Sequence, residues 1–181
     1  MSTPVFVVIT AAISLIAIVL VRQVRAWVKF RGQRVIECPD NRQPAGVVVD
    51  AGHAASTGIL GAPELRLSSC SRWPEKTGCG QMCLSQIATA PEDCLVRNIL
   101  ALWYEGKSCA SCGKPVGDLE WAGSKPGLLL RDGSSVEWSA VPAEKLHETL
   151  AAAQPICFGC HTAATLMRER PDMVADRHRP A

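Results

Sequence analysis

The sequence lacks the features by which most enzyme classes are recognised. It contains no glycine-rich phosphate-binding loop, so nothing in it indicates nucleotide binding. Asp50 and His53 lie close together, but no serine or cysteine nucleophile elbow accompanies them. Internal repeats and low-complexity tracts are also absent. These absences favour a binding or structural role over catalysis.

The net charge is small but unevenly distributed along the chain. The 181 residues have a formal net charge of +2, with +4 on residues 1–37 and −2 on residues 38–181. A mildly acidic body without a basic face predicts no nucleic acid partner. The apolar fraction of 48% suffices for a packed core and excludes a wholly disordered protein.

A stretch without any charged side chain occupies residues 4–21. At about 1.5 Å per residue, a helix of this length crosses most of the hydrocarbon layer of a bilayer. A cleaved signal peptide is the alternative, but no basic residue precedes the stretch, and Arg22 and Arg25 follow where cleavage would occur. We therefore predict a transmembrane anchor over residues 1–22, with the lipid bilayer as a partner.

Basic side chains follow this stretch directly. They are Arg22, Arg25, Lys29, Arg31 and Arg34, and Trp27 lies among them at a depth suited to a membrane interface. Short basic flanks stay in the cytoplasm, which predicts an N-terminus outside and a cytoplasmic cysteine-rich domain. We expect residues 23–44 to form a basic juxtamembrane linker. A protein partner is expected in the membrane or at its cytoplasmic surface.

Nine cysteines are present, which is many for a chain of this length. A reducing cytoplasm disfavours disulfides, and an odd number of thiols cannot pair completely within one chain. Metal binding is therefore the expected use of these thiols. Disulfides are the alternative if the orientation is reversed.

Two pairs of cysteines have the spacing C-x-x-C. Cys109 and Cys112 precede Gly113, as in a zinc knuckle, while Cys157 and Cys160 open a predicted helix whose free N–H groups would stabilise thiolates. The spacing predicts one tetrahedral Zn²⁺ site formed by all four thiolates.

The order of knuckle, hairpin and ligand-bearing helix resembles a treble-clef or zinc-ribbon-like Cys₄ finger over residues 107–170. The hairpin is indicated by Asp132 and Gly133, which tolerate a positive φ. An inserted helix at residues 142–153 departs from the compact form of such fingers. The resemblance implies a small α+β unit held together by one zinc ion.

The second pair also fits another cofactor. Cys157, Cys160 and His161 match the C-x-x-C-H motif that attaches c-type haem. Two observations weigh against haem: this haem is attached outside the cytoplasm, and only 20 residues follow His161. Haem remains an alternative to zinc at this pair.

A further group of cysteines precedes the two pairs. Cys79 and Cys83 are four residues apart on one predicted helical face, and Cys94 could reach the same point from the next helix. Together with Cys70 they predict a second four-thiolate cage for Zn²⁺ or an iron–sulfur cluster, although no standard cluster spacing matches. Cys38, beside Pro39, is a further candidate member of this group, although its simplest interpretation is a spare thiol.

The predicted fold class is α+β, with a single N-terminal transmembrane helix followed by a small cysteine-rich metal-binding domain. The predicted elements are a strand at 45–49, a loop at 50–69, helices at 80–90 and 91–104, strands at 119–121, 127–130 and 135–138, and helices at 142–153 and 157–169. They divide into a helical cysteine-containing unit, residues 45–106, a Cys₄ unit, residues 107–170, and a polar tail, residues 171–181.

The sequence thus favours a membrane-anchored zinc-binding protein that acts as a binding or scaffold component. The alternative is a membrane-tethered electron-transfer protein. It would carry an iron–sulfur cluster on Cys70, Cys79, Cys83 and Cys94, or haem on Cys157 and Cys160.

Overall fold

The computed structural model describes residues 3–59, 61–76, 78–117 and 125–171. Helices and strands are mixed along the chain, which divides into two compact units, Met1–Val96 and Arg97–Ala181. The strand predicted at 119–121 and the predicted tail beyond residue 171 lie outside the described residues.

The first unit begins with the long helix α1 (Thr3–Phe30). Its apolar side chains are exposed along residues 5–21, and the helix is long and apolar enough to cross a membrane. No proline or glycine interrupts residues 22–30, so the helix continues until Gly32, whose φ of 99° suits only glycine. The predicted juxtamembrane linker, residues 23–44, is therefore helix first and then strand.

A three-stranded antiparallel sheet follows α1. It consists of β1 (Gln33–Glu37), β2 (Pro44–Val49) and β3 (Leu67–Cys70), in the order β1-β2-β3. Val35 pairs with Gly46, and Val47 pairs with Cys70. The strand predicted at 45–49 is confirmed, whereas β1 and β3 were not predicted.

Two short helices complete the core of the first unit. They are α2 (Ala51–Thr57) and α3 (Leu84–Thr89). Asp50 caps α2, since its Oδ1 accepts from the His53 N–H at 2.9 Å, so the loop predicted at 50–69 contains a helix. Helix α2 packs against α1, and an Arg22 Nη donates to the Ile59 carbonyl at 3.1 Å.

Arg34, on β1, is completely buried. Its guanidinium donates to the carbonyls of Phe30 at 2.6 Å and Lys29 at 2.7 Å in the last turn of α1, and to that of Gly32 at 3.0 Å just after it. Its Nε donates to the Pro91 carbonyl at 3.3 Å. One cation thus satisfies carbonyl groups that the end of a helix leaves without partners.

The helix α4 (Val96–Tyr104) leads into the second unit. This unit contains β4 (Gly127–Leu129), β5 (Ser135–Glu137), α5 (Leu146–Ala152), β6 (Gln154–Ile156) and α6 (Phe158–Glu169). Its antiparallel sheet has the order β5-β4-β6. The predicted hairpin is confirmed, and Gly133 in its turn has a φ of 80°.

Two aromatic residues of α4 bind it to the second unit. The buried Tyr104 hydroxyl donates to the Gly127 carbonyl at 2.6 Å, and the Trp103 indole donates to the Leu150 carbonyl at 3.1 Å. The compact units therefore divide after Val96, upstream of the boundary expected near residue 106. The helix predicted from residue 91 begins later, because the Cys94 carbonyl accepts from the Val35 N–H at 2.9 Å.

Replacing Arg34 with methionine should destabilise the first unit by about 3 kcal/mol, because several carbonyls would lose a charged donor in a buried site. Arg31→Met is the matched control, since Arg31 is exposed and only stacks on Trp27, which contributes about 1 kcal/mol or less. Urea unfolding of the full chain in detergent, followed by tryptophan fluorescence, measures both. Equal losses in the two variants would contradict the capping role.

Candidate metal centre

A tight hairpin presents the first cysteine pair. The Cys109 N–H donates to the Lys114 carbonyl at 2.8 Å, and the Gly113 N–H donates to the Cys109 carbonyl at 2.9 Å. Gly113 has a φ of 71°, as its place after the second cysteine predicts. The Ala110 N–H donates to the Pro155 carbonyl at 2.8 Å, which fastens the hairpin to β6.

The second pair stands at the start of α6. Cys157 is the N-cap residue of this helix, and Cys160 lies in its first turn. β6 ends at Ile156, and its Pro155 carbonyl accepts from Ala110 in the hairpin. Cys157, the next residue, therefore lies beside the hairpin. The Cys157 N–H then donates to the Cys109 sulfur at 3.3 Å.

All four sulfurs converge at this point. The sulfurs of Cys109, Cys112, Cys157 and Cys160 lie within 4.8 Å of one another, and those of Cys112 and Cys157 are 3.8 Å apart. Across residues 3–59, 61–76, 78–117 and 125–171, no other group of three or more metal-binding side chains is this close. The cluster could therefore bind a metal ion, as the spacing of the cysteines predicts.

The environment of Cys109 favours its thiolate form. Burial opposes ionisation, but N–H donors from Cys157, Cys112 and Ser111 outweigh it and lower the pKa of Cys109 to about 6. The Ser111 hydroxyl favours a Cys160 thiolate, yet hydrogen bonds with Cys157 and Cys112 raise the pKa of Cys160 to about 12. One thiol of the cluster is thus ready to bind a cation, while another keeps its proton until the cation arrives.

The His161 side chain, on α6, contacts the sheet and is not part of the thiol cluster. Its Nδ1 lies 3.0 Å from the Ser135 hydroxyl oxygen. Its ring covers Gly127, where a Cβ atom would lie 2.8 Å from the imidazole Cγ, so only glycine fits there. The four thiols already supply a full tetrahedral set, and His161 supports the helix that carries two of them.

The other predicted cage is only partly assembled from the expected residues. Cys70, Cys79 and Cys83 line one cavity, and Cys38 completes the set of cysteines around it. The Cys94 sulfur instead faces the carbonyls of Ala90 and Pro91, at 3.4 and 3.7 Å. Burial raises the pKa of Cys94 despite the adjacent Arg34, which is consistent with a neutral thiol donating to these carbonyls.

Sequence reasoning missed Ser111 and left the role of Cys38 open. Ser111 was not singled out, although a hydroxyl between two cysteines of a C-x-x-C turn is well placed to bond to sulfur. Cys38 was named as a further candidate but interpreted most simply as a spare thiol. The turn signal of Pro39, Asp40 and Asn41 after it, between two short apolar runs, could have indicated a cysteine at a strand end.

No protein-family model, curated protein or solved structure matches this chain. The resemblance to treble-clef and zinc-ribbon fingers therefore has no family match behind it. The fold and the site define a chain of mixed helix and sheet with one long apolar N-terminal helix and a four-cysteine cluster that could bind a metal ion.

Changing Cys109 to serine should abolish metal binding by this cluster and lower the stability of the metal-loaded second unit by several kcal/mol. The reason is that metal-binding free energy adds directly to folding free energy. Thermal unfolding with and without zinc, followed by circular dichroism, measures the effect. Cys94→Ser is the control and should keep the zinc-dependent stabilisation of this unit; its loss there would contradict the assignment.

Zinc affinity of this cluster should fall as the pH is lowered, because protons and zinc compete for the same sulfurs. Cys160, with a pKa of about 12, must release a proton on binding, which alone weakens the affinity about tenfold per pH unit. Below a pH of about 6 Cys109 is also protonated, and the slope should reach at least about a hundredfold per pH unit. Competition with a chelator across this range tests the profile, and a flat profile would contradict it.

Proposed function

We propose that this protein is a single-span membrane protein whose second unit binds one Zn²⁺ ion, and that it acts as a binding or scaffold component. The observation that carries the proposal is the convergence of four thiols within 4.8 Å. The proposed ligands are Cys109, Cys112, Cys157 and Cys160.

Zinc is the cation best suited to this set of donors. Four thiolates form a soft, tetrahedral environment, which Zn²⁺ occupies in structural sites with Zn–S distances of about 2.3 Å. Four protein ligands leave no position for a water molecule, so the bound ion would not act as a Lewis acid. A structural role follows from this closed coordination.

The second unit has reason to need such an ion. Its three strands, β4, β5 and β6, have only three residues each. The hairpin that carries Cys109 reaches β6 through the Ala110 N–H bond to Pro155. A zinc ion would join this hairpin covalently to α6 and stabilise elements too small to hold together by apolar burial alone.

The geometry supports zinc over haem at the second pair. Haem attachment would use both Cys157 and Cys160 for thioether bonds. Here both sulfurs lie against the hairpin sulfurs, and Cys109 accepts an N–H bond from Cys157 itself. A haem would have to displace the hairpin from this contact.

The proposed anchor is α1, with the cysteine-rich units in the cytoplasm. The basic residues that favour this orientation are exposed: Arg22, Arg25 and Lys29 lie in the last turns of α1, and Arg31 directly follows it. Arg34 is buried and contributes to the fold instead. A protein partner in the membrane or at its cytoplasmic surface is part of this proposal.

Elemental analysis of the purified full chain tests the metal assignment. We expect a colourless protein with zinc that is lost from the second unit when Cys160 is changed to serine. A visible absorption band with iron bound at these four cysteines would refute the zinc proposal and support an electron-transfer role.

The anchor is tested on the same protein in cells. The chain should stay in the membrane after carbonate extraction, with an N-terminal tag open to external protease and a C-terminal tag protected. Changing Arg22, Arg25, Lys29 and Arg31 to glutamate should reverse or mix the orientation, because the basic flank would be lost. Extraction of the chain by carbonate would rule out the anchor.

A further inference from the structure

Cys38, Cys70, Cys79 and Cys83 surround one small cavity in the first unit; together they are named here the Cys38 cluster. The cavity has a volume of about 50 Å³. Sites for organic ligands usually measure about 300–1,000 Å³, so this cavity suits an ion and not a larger molecule.

Cys38 and Cys70 reach this cavity from two different strands. Both β1 and β3 are antiparallel to β2; Cys70 pairs with Val47 of β2, and Cys38 bonds to Gln43 just before β2. Cys70 is the last residue of β3, and Cys38 directly follows β1. Although they are 32 positions apart in the chain, both line the cavity.

A tight turn fixes the backbone of Cys38. The Cys38 N–H donates to the Gln43 carbonyl at 2.9 Å, and the Arg42 N–H donates to the Cys38 carbonyl at 2.8 Å. Arg42 adopts a φ of 55°, which is unusual for a residue with a side chain. The turn therefore holds the Cys38 thiol at the mouth of the cavity.

The loop before α3 supplies the other two thiols. The Gln81 N–H donates to the Cys79 sulfur at 3.4 Å, and Gln81 also has a positive φ, of 53°. Its side-chain oxygen accepts from the Leu67 N–H at 2.8 Å, which ties the loop to β3. Cys83, only 6% exposed, then starts α3 against the core.

The charges around the cavity suit a thiolate-bound cation. Arg72, Lys76 and Asp40 line it, and Lys76 forms an ion pair with Asp40. Four thiolates around a divalent ion leave a local charge of −2. Arg72 and Lys76 offset part of it, although Lys76 is shared with Asp40 and Arg72 with Glu75. The pKa of Cys83 is raised, first by burial and then by Cys70, Cys79 and Cys38, so each of these three thiols lies near Cys83.

We propose that the Cys38 cluster is a second four-thiolate site for one Zn²⁺ ion, and that Cys94 is not a ligand. This site lies in the first unit and goes beyond the proposed function, whose zinc ion is bound by the second unit. Its sulfurs are more widely spread than those of the metal centre, since no three lie mutually within 4.8 Å. Binding would draw them in by rotation about χ1 to Zn–S distances of about 2.3 Å.

Counting zinc in the full chain, purified in detergent, tests this proposal. The unaltered protein should hold two ions per chain, and Cys38→Ser should hold one. Cys94→Ser is the matched control, because it makes the same chemical change at a half-buried cysteine of the same unit, and it should still hold two.

The outcomes separate the two metal sites. If the unaltered chain holds a single ion that Cys109→Ser removes, the second site is refuted while the proposed function stands. If the single ion is removed by Cys38→Ser and not by Cys109→Ser, the site proposed here stands and the zinc site of the proposed function is refuted. If Cys94→Ser loses an ion and Cys38→Ser does not, the proposed set of four ligands is refuted. If iron is found at this site, the assignment of zinc is refuted.

A second measurement applies where Cys38→Ser does not fold. Cys38→His keeps a metal-binding side chain, so the cobalt-loaded variant should shift its visible absorption bands to higher energy as one sulfur ligand becomes nitrogen. Cobalt-loaded Cys94→His should keep the spectrum of the unaltered chain. An unshifted spectrum in Cys38→His would overturn the proposal.

Discussion

The buried guanidinium of Arg34 is the interaction on which the first unit depends. It joins the end of α1 to the segment around Pro91, through donors to the carbonyls of Lys29, Phe30 and Pro91. Without a cation there, the last carbonyls of a long helix would be buried next to β1 without partners. Because Arg34 is itself part of β1, the same contact fixes where the sheet begins. The positions of β2 and β3, and of Cys70 at the end of β3, follow from that start.

The two thiol clusters are assembled from the same kinds of local structure. In each, a tight turn next to a strand presents one cysteine, and the start of a helix presents another: Cys109 and Cys157 in the second unit, Cys38 and Cys83 in the first. Backbone N–H groups point at a sulfur in both, from Cys157 to Cys109 and from Gln81 to Cys79. In both clusters the backbone therefore stabilises a thiolate even without a bound cation. The clusters differ in spread, and only the four sulfurs of the second unit are already mutually close.

The metal centre of the second unit could be predicted from the sequence because its signals are local. The C-x-x-C spacing, Gly113 after it and the helix after Cys157 each depend on a few neighbouring residues. Strand β1 could not be predicted, since Arg34 is indistinguishable in sequence from the basic residues flanking an apolar helix, and only tertiary packing buries it. The presence of Cys38 instead of Cys94 at the cavity likewise depends on tertiary packing, which spacing along the chain does not encode.

The unbroken course of α1 through Phe30 has a mechanical consequence. From Arg22 to Phe30 the helix advances about 12 Å beyond its uncharged stretch. Helix α2 packs along this part, and Arg22 holds the Ile59 carbonyl. With α1 in a bilayer as proposed, Ile59 would lie at the level of the lipid headgroups. The span and the first unit would then move together as one rigid body. A change in bilayer thickness that tilts the span would rotate the β1-β2-β3 sheet through the same angle. The orientation of the first unit would then depend on the thickness of the bilayer.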